Sequence, residues 1–114
     1  MSEQIEINDK DIDRLLDFRG VDNAGGSIFY YKGEPFTGVI RAYYDNGQLL
    51  DEVEYLDGHV GGVSREFYPN GQIKAERYKY FGRMDKYYKG WDEEGNLIIH
   101  TIFDDGKRVR QILP

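Results

Sequence analysis

Gly47, Gly71 and Gly95 lie 24 residues apart, and Gly58, Gly82 and Gly106 repeat the same interval. Two glycine trios in phase make the chain a tandem repeat, and the repeat constrains the fold before any site is considered. Other columns keep the step: the aromatics Tyr43, Phe67 and Trp91, the aliphatics Leu49, Ile73 and Leu97, and the bases Arg41, Arg65 and Lys89. Within a unit the glycines fall 11 and then 13 residues apart. That leaves room for strands of about 7 to 9 residues between tight turns and too little for a three-turn helix.

Turns at Gly33, Gly47, Gly58, Gly71, Gly82, Gly95 and Gly106 predict eight strands from Ile28 onward, joined consecutively as an antiparallel β-meander. Tyr68-Pro69-Asn70-Gly71 suits a type I turn with glycine in the left-handed region as the bulge residue. This loop pairs Tyr43 with Leu49, Phe67 with Ile73 and Trp91 with Leu97. If the Gly58-type turns share that geometry, odd-numbered residues occupy one face throughout. That face, with Val39, Val53, Tyr55, Val63, Ala75, Tyr87, Ile99 and Phe103, then reads as the core, and the even face reads as wet, acidic and tyrosine-rich. Residues 1–27 lie outside the repeat and read as a cap. Asn8 as N-cap with Ile12, Leu15 and Leu16 at helical spacing permits a short helix, and an irregular cap fits as well.

A 114-residue chain is a single domain by length, with a modest core: hydrophobic content is 39% and Tyr and Phe number 10 and 6. No stretch approaches the roughly 18 apolar residues that span a bilayer, and the first ten residues have no apolar leader core, so a cytoplasmic location is expected. There is no cysteine. The net charge of −6 argues against binding nucleic acid backbones, which takes an excess of bases. Residues 1–57 hold 13 acids and 5 bases, whereas 58–114 hold 8 acids and 10 bases. His59 and His100 have no second ligand at metal spacing, and Asp51 and Glu52 point to opposite faces of a strand, so no metal, cofactor or catalytic acid/base pair is expected. The bases Arg41, Arg65 and Lys89 read better as packing along the sheet, with heads near Asp51, water or rings, than as an anion groove.

The blocks Tyr30-Tyr31-Lys32-Gly33-Glu34-Pro35-Phe36-Thr37-Gly38, Tyr68-Pro69-Asn70-Gly71-Gln72-Ile73 and Gly90-Trp91-Asp92-Glu93-Glu94-Gly95-Asn96-Leu97 resemble the MORN-variant repeat of YwqK-type antitoxins and immunity proteins. The resemblance spans roughly residues 28–107. It implies an all-β antiparallel meander of repeats, with residues 28–114 as an elongated twisted sheet, that binds a cognate toxin domain and blocks it. It brings no catalytic motif. Glu94 stands where other units have Asn, and Lys86 where Gly38 and Gly62 precede it.

The function expected is therefore an immunity protein that neutralises a basic nuclease or deaminase toxin by stoichiometric binding; a MORN-type structural or membrane-proximal adaptor is the alternative. The partner surface expected is the even face, through Tyr44, Glu52, Glu54, Glu66, Tyr68, Glu76, Tyr78 and Tyr80, helped by Asp45, Asp51 and Asp57. Neither nucleic acid nor membrane is expected as a partner. The chain is expected to be a monomer or a weak homodimer through exposed strand edges.

Overall fold

The computed structural model describes residues 4–113. It is an all-β protein built on an eight-stranded sheet in the order β1 (Ile5–Asn8), β5 (Gly38–Tyr43), β6 (Leu49–Leu56), β7 (His59–Phe67), β8 (Ile73–Tyr80), β9 (Arg83–Trp91), β10 (Leu97–Asp104), β11 (Lys107–Leu113), with a three-stranded sheet of β2 (Asp17–Val21), β3 (Ser27–Tyr31) and β4 (Glu34–Pro35) beside it. The repeats supply β5 to β11. Each pairs antiparallel with its sequence neighbour.

The N-terminal segment is more ordered than an irregular cap. It holds β1 (Ile5–Asn8), a 3₁₀ turn (Asp9–Asp11), the single-turn helix α1 (Ile12–Leu15) and β2 (Asp17–Val21). Asn8 is the N-cap of the 3₁₀ turn, its side chain accepting from the Lys10 N–H. β1 is not part of the meander: it pairs parallel with β5 and closes that edge of the sheet. The hairpin at Gly33 also departs from the expected meander. Its strands β3 (Ser27–Tyr31) and β4 (Glu34–Pro35) pair with each other and with β2 in the small sheet, and the chain crosses into the large sheet at Phe36 and Thr37.

Two turn classes alternate. The loops ending at Gly47, Gly71 and Gly95 are as expected: only the glycine takes positive φ (+89°, +90° and +91°), and its N–H donates to the carbonyl three residues back. The Gly58-type turns are different. Asp57 and Gly58 both take positive φ, as do Phe81 with Gly82 and Asp105 with Gly106, so these are two-residue type I′ turns. Gly25, outside the repeat, is left-handed as well, at φ +86°, and is no permissive site. Gly26 is not left-handed and serves as the comparison. Gly71→Ala should lose about 1 kcal/mol more stability than Gly26→Ala, read as a difference in urea midpoints, and equal midpoints would contradict the bulged-turn geometry.

The difference in turns, together with bulges, overturns the odd-face core. The pairs Tyr43–Leu49, Phe67–Ile73 and Trp91–Leu97 are present, but the next rungs are Ala42–Asp51, Glu66–Ala75 and Gly90–Ile99. One residue is inserted each time: Leu50, Lys74 and Ile98. Because side chains alternate with period two, the insertion flips the rest of its strand, and the two-residue turn that follows flips the parity back. Val53, Tyr55, Ala75, Ile99 and Phe103 therefore lie on the face opposite Val39, Tyr43, Leu49, Val63, Phe67, Ile73, Tyr87, Trp91 and Leu97. The first set belongs to a capped face, on which α1 and the small sheet pack at the β1–β5–β6 end. The second belongs to an open face, where Tyr43 is 43% exposed.

The core sits under the cap. Ile7, Leu16, Phe29, Phe36, Ile40 and Tyr55 form one buried cluster, flanked by Ile12, Leu15, Tyr31, Val53 and Val60. It joins both sheets and α1. Beyond β7 the sheet has no such covering among the described residues, and the Cα radius of gyration of 15.0 Å exceeds the roughly 13 Å of a compact chain of this length.

A second bulge column explains the departure at Lys86. Gly62 takes φ +103° there, and Lys86, one repeat later, is forced to +64°. In the earlier copy Glu54 fills the bulge and accepts from the Val63 N–H at 2.6 Å; in the later copy Tyr78 replaces it, with the Lys86 ammonium 4.3 Å over its ring. Relief of the left-handed strain outweighs one exposed cation–π contact. Lys86→Gly should thus gain about 0.5–1 kcal/mol, seen as a higher urea midpoint, and a lower midpoint would show that the Tyr78 contact dominates.

Candidate protein-binding face

The open face carries a row of charges that crosses six strands. Glu6 on β1 pairs with Arg41 on β5, whose Nε lies 3.0 Å from Glu52 on β6. Arg65 on β7 bridges Glu52 at 3.2 Å and Glu76 on β8 at 2.7 Å. Lys89 on β9 is the register partner of Glu76. The repeat generates this order, because the first two units each place a base on one strand and an acid opposite it on the next, Arg41 with Glu52 and Arg65 with Glu76, whereas in the third His100 stands opposite Lys89. The Arg41, Arg65 and Lys89 column is therefore structural, as the sequence suggested, but its arginine heads meet Glu52 and Glu76 instead of Asp51.

Alternation of sign offsets the partial burial of these groups. Burial pushes the Glu76 carboxyl up, but hydrogen bonds from Arg65 and from the Tyr87 hydroxyl at 2.9 Å outweigh it and leave the group below its ordinary value. Hydrogen bonds that Arg41 donates to the Glu6 and Glu52 carboxylates hold its guanidinium above its ordinary value. A carboxyl with a depressed folded pKa contributes stability above its unfolded pKa that is lost as pH falls through the folded value. Acidification below about pH 4.3 should therefore destabilise the protein, and Glu76→Gln should flatten that part of the curve. Asp51 acts in the opposite sense. Burial, then Glu66 and Asp9, push its carboxyl up, so its protonation relieves repulsion on the capped face. Urea midpoints of both proteins from pH 6 to pH 3 check the sign, and parallel curves would count against the ladder.

The eleven residues expected to form one partner surface do not share a face. Glu52, Glu54, Glu76 and Tyr78 are on the open face, but Glu52, Glu54 and Glu76 are engaged within the sheet. Glu66 and Asp51 are register partners on the capped face, where Arg77 lies 3.1 Å from Glu66. Tyr44 and Tyr68 donate their hydroxyls to the carbonyls of Phe67 and Trp91, each at 2.7 Å, and so tie one turn to the next repeat. Asp45 and Asp57 are exposed in turns at opposite ends of the strands. Tyr80 is 52% exposed beside the β8–β9 turn.

The open face offers a different surface. Beside the charge row run two apolar columns, Tyr43, Phe67 and Trp91 paired with Leu49, Ile73 and Leu97, of which Tyr43 and Leu97 are the most exposed. Aromatic side chains on a rigid sheet give contact area with little entropy loss, and the ladder beside them fixes electrostatic register. The glycine spacing found these columns, but their face depended on the inserted residues.

Two features had no sequence reading. The His59 Nδ1 lies 3.0 Å from Asp22, whose carboxylate also accepts the N–H groups of Ala24 and Gly26. This clamps the β2–β3 loop to the start of β7. Phe81 occupies the first position of a type I′ turn, where the units on either side have Asp57 and Asp105. The 24-residue column containing Asp57, Phe81 and Asp105 was the available signal.

A family model described as a MORN repeat variant matches the chain at residues 36–57 and 61–79. These segments cover the β5–β6 hairpin and the adjoining β7–β8 hairpin, the part of the sheet where the charge ladder is complete. The match brings with it a repeat-based protein-binding role. No curated protein and no solved structure matches the chain.

Proposed function

We propose that the protein is an immunity protein that binds a cognate, basic toxin domain in a one-to-one complex and blocks it without turnover. The observation that carries this reading is the open face, a rigid sheet surface with aromatic and aliphatic columns beside a fixed ladder of charge. The net charge of −6 suits a basic target, and a nuclease or deaminase is the toxin class that such a charge would meet. The partner contacts are reassigned from the even residues to this face, with Tyr43 and Leu97 as its most accessible apolar contacts.

The test is to recover the chain from native lysate with its bound protein, separate the two, and titrate the chain back into a nuclease or deaminase assay of that protein. Inhibition should be complete at one equivalent. Tyr43→Ala combined with Leu97→Ala should raise the inhibition constant by about a hundredfold while leaving the fold intact. Association should slow as salt rises, because complementary charge acts mainly on encounter. A bound protein whose activity the chain does not inhibit would sink the reading.

A further inference from the structure

The β8–β9 turn departs from its counterparts in the repeat, which hold Asp57 and Asp105 at the same position. Type I′ geometry holds its first residue in the left-handed region, which suits Asn, Asp or Gly, and Phe81 is held there at φ +48°. The side chain does not withdraw into a core, for Phe81 is 41% exposed and Tyr80 beside it 52% exposed. Their rings meet at 4.6 Å and 78°, edge to face, and so form two walls of a corner. The His59 ring, 5.1 Å from Phe81 and fixed by Asp22, backs the corner. A groove of about 340 Å³ opens in front of it, with the carboxylates of Asp22 and Asp105 also on its lining. Arg83 also lines the groove and lies 3.3 Å from Asp105, whose charge it partly offsets.

Two aromatic walls with carboxylates alongside attract a cation, since ring faces are negative and the acids add charge. Backbone strain retained at an exposed aromatic is the signature of a residue kept for contact. We propose that this corner is an anchor site for a lysine or arginine side chain of a basic partner protein. The site lies at the turn end of the strands and adds a second contact to the open face; it rests on the reading above that the partner is basic.

The experiment titrates the ¹⁵N-labelled chain with an acetylated, amidated tri-arginine peptide, with tri-glutamate as control. Saturable amide shifts should centre on Asp22, His59, residues 80–83 and Asp105, for tri-arginine only. Phe81→Asn, which restores a residue suited to the turn, should weaken the peptide by about tenfold with the remaining spectrum unchanged. Tyr80→Thr, outside the strained position, should weaken it similarly and provides the test should Phe81→Asn disturb the turn. Shifts spread over Asp45, Glu93 and Glu94 and equal in the variants would overturn the site, as would no saturable shift at all. The peptide needs no toxin, so a cradle that binds tri-arginine in a protein that inhibits nothing would sink the immunity reading alone.

Discussion

Glu52→Lys should cost about 3–5 kcal/mol and unfold a large share of the protein under mild urea. The Glu52 side chain is only 13% exposed and lies between Arg41 and Arg65, within 3.0 and 3.2 Å of their guanidinium groups. A lysine there would place three cations in a row on adjacent strands, with both arginines left without their shared carboxylate. Removing one partner from a desolvated pair leaves uncompensated charge, and reversing it adds repulsion. Glu66→Lys is the matched reversal. Glu66 is on the other face, 39% exposed, with one ion pair to Arg77 and an unfavourable neighbour in Asp51, so its reversal should change stability by under about 1 kcal/mol. Urea unfolding of the two variants decides the matter. Equal midpoints would mean that the ladder is surface decoration.

The same pair shows how far the sequence can be read. Glycine periodicity, strand count within the repeats, the bulged turns and the rungs Tyr43–Leu49, Phe67–Ile73 and Trp91–Leu97 follow from residue type and spacing, because left-handed glycine and cross-strand pairing are local. Faces are not local. Glu52 and Glu66 share parity in the sequence and opposite sides in the sheet, since the Asp57–Gly58 turn between them is two residues long and pairs residues of opposite parity, and the inserted Leu50, Lys74 and Ile98 shift parity again within their own strands. Nothing in the composition of Leu50 marks it as a bulge.

The edge strand β1 was hidden for another reason. A parallel partner has no hairpin to announce it, and Ile5-Glu6-Ile7-Asn8 is too short to stand out by alternation. Missing β1 also hid the start of the charge row, because Glu6 supplies the first acid. For the partner surface, acidity and tyrosine content pointed to a set of residues, but Tyr44, Tyr68, Glu52 and Glu76 prove to be engaged inside the sheet. Composition counts such groups without distinguishing those already satisfied by the fold.

Phe36→Ala should cost about 3–5 kcal/mol, and its effect should begin at one end of the molecule. Phe36 is fully buried and lies where the chain passes from the small sheet to the large one. Its ring is 5.6 Å from that of Tyr55 and 6.4 Å from that of Tyr31. Its N–H donates to the Phe29 carbonyl, and its own carbonyl accepts from Gly58. Gly38 is needed beside it: a Cβ there would strike the Ile5 carbonyl and come within 2.9 Å of the ring. The side chain thus holds β1, the small sheet and β5 in one cluster, to which no apolar side chain of β8 to β11 belongs among the described residues. A repeat sheet is stabilised unit by neighbouring unit, so a cavity at the capped end should release that end first. Hydrogen exchange of Phe36→Ala should show early loss of protection at Ile5–Asn8 and Ser27–Tyr31, with the β8–β9 amides persisting longer. Phe18→Ala, at a side chain 61% exposed, should change neither pattern by more than about 1 kcal/mol. Uniform loss of protection across all strands would instead make the sheet one cooperative unit, and the capped cluster would then stabilise every repeat rather than its own end.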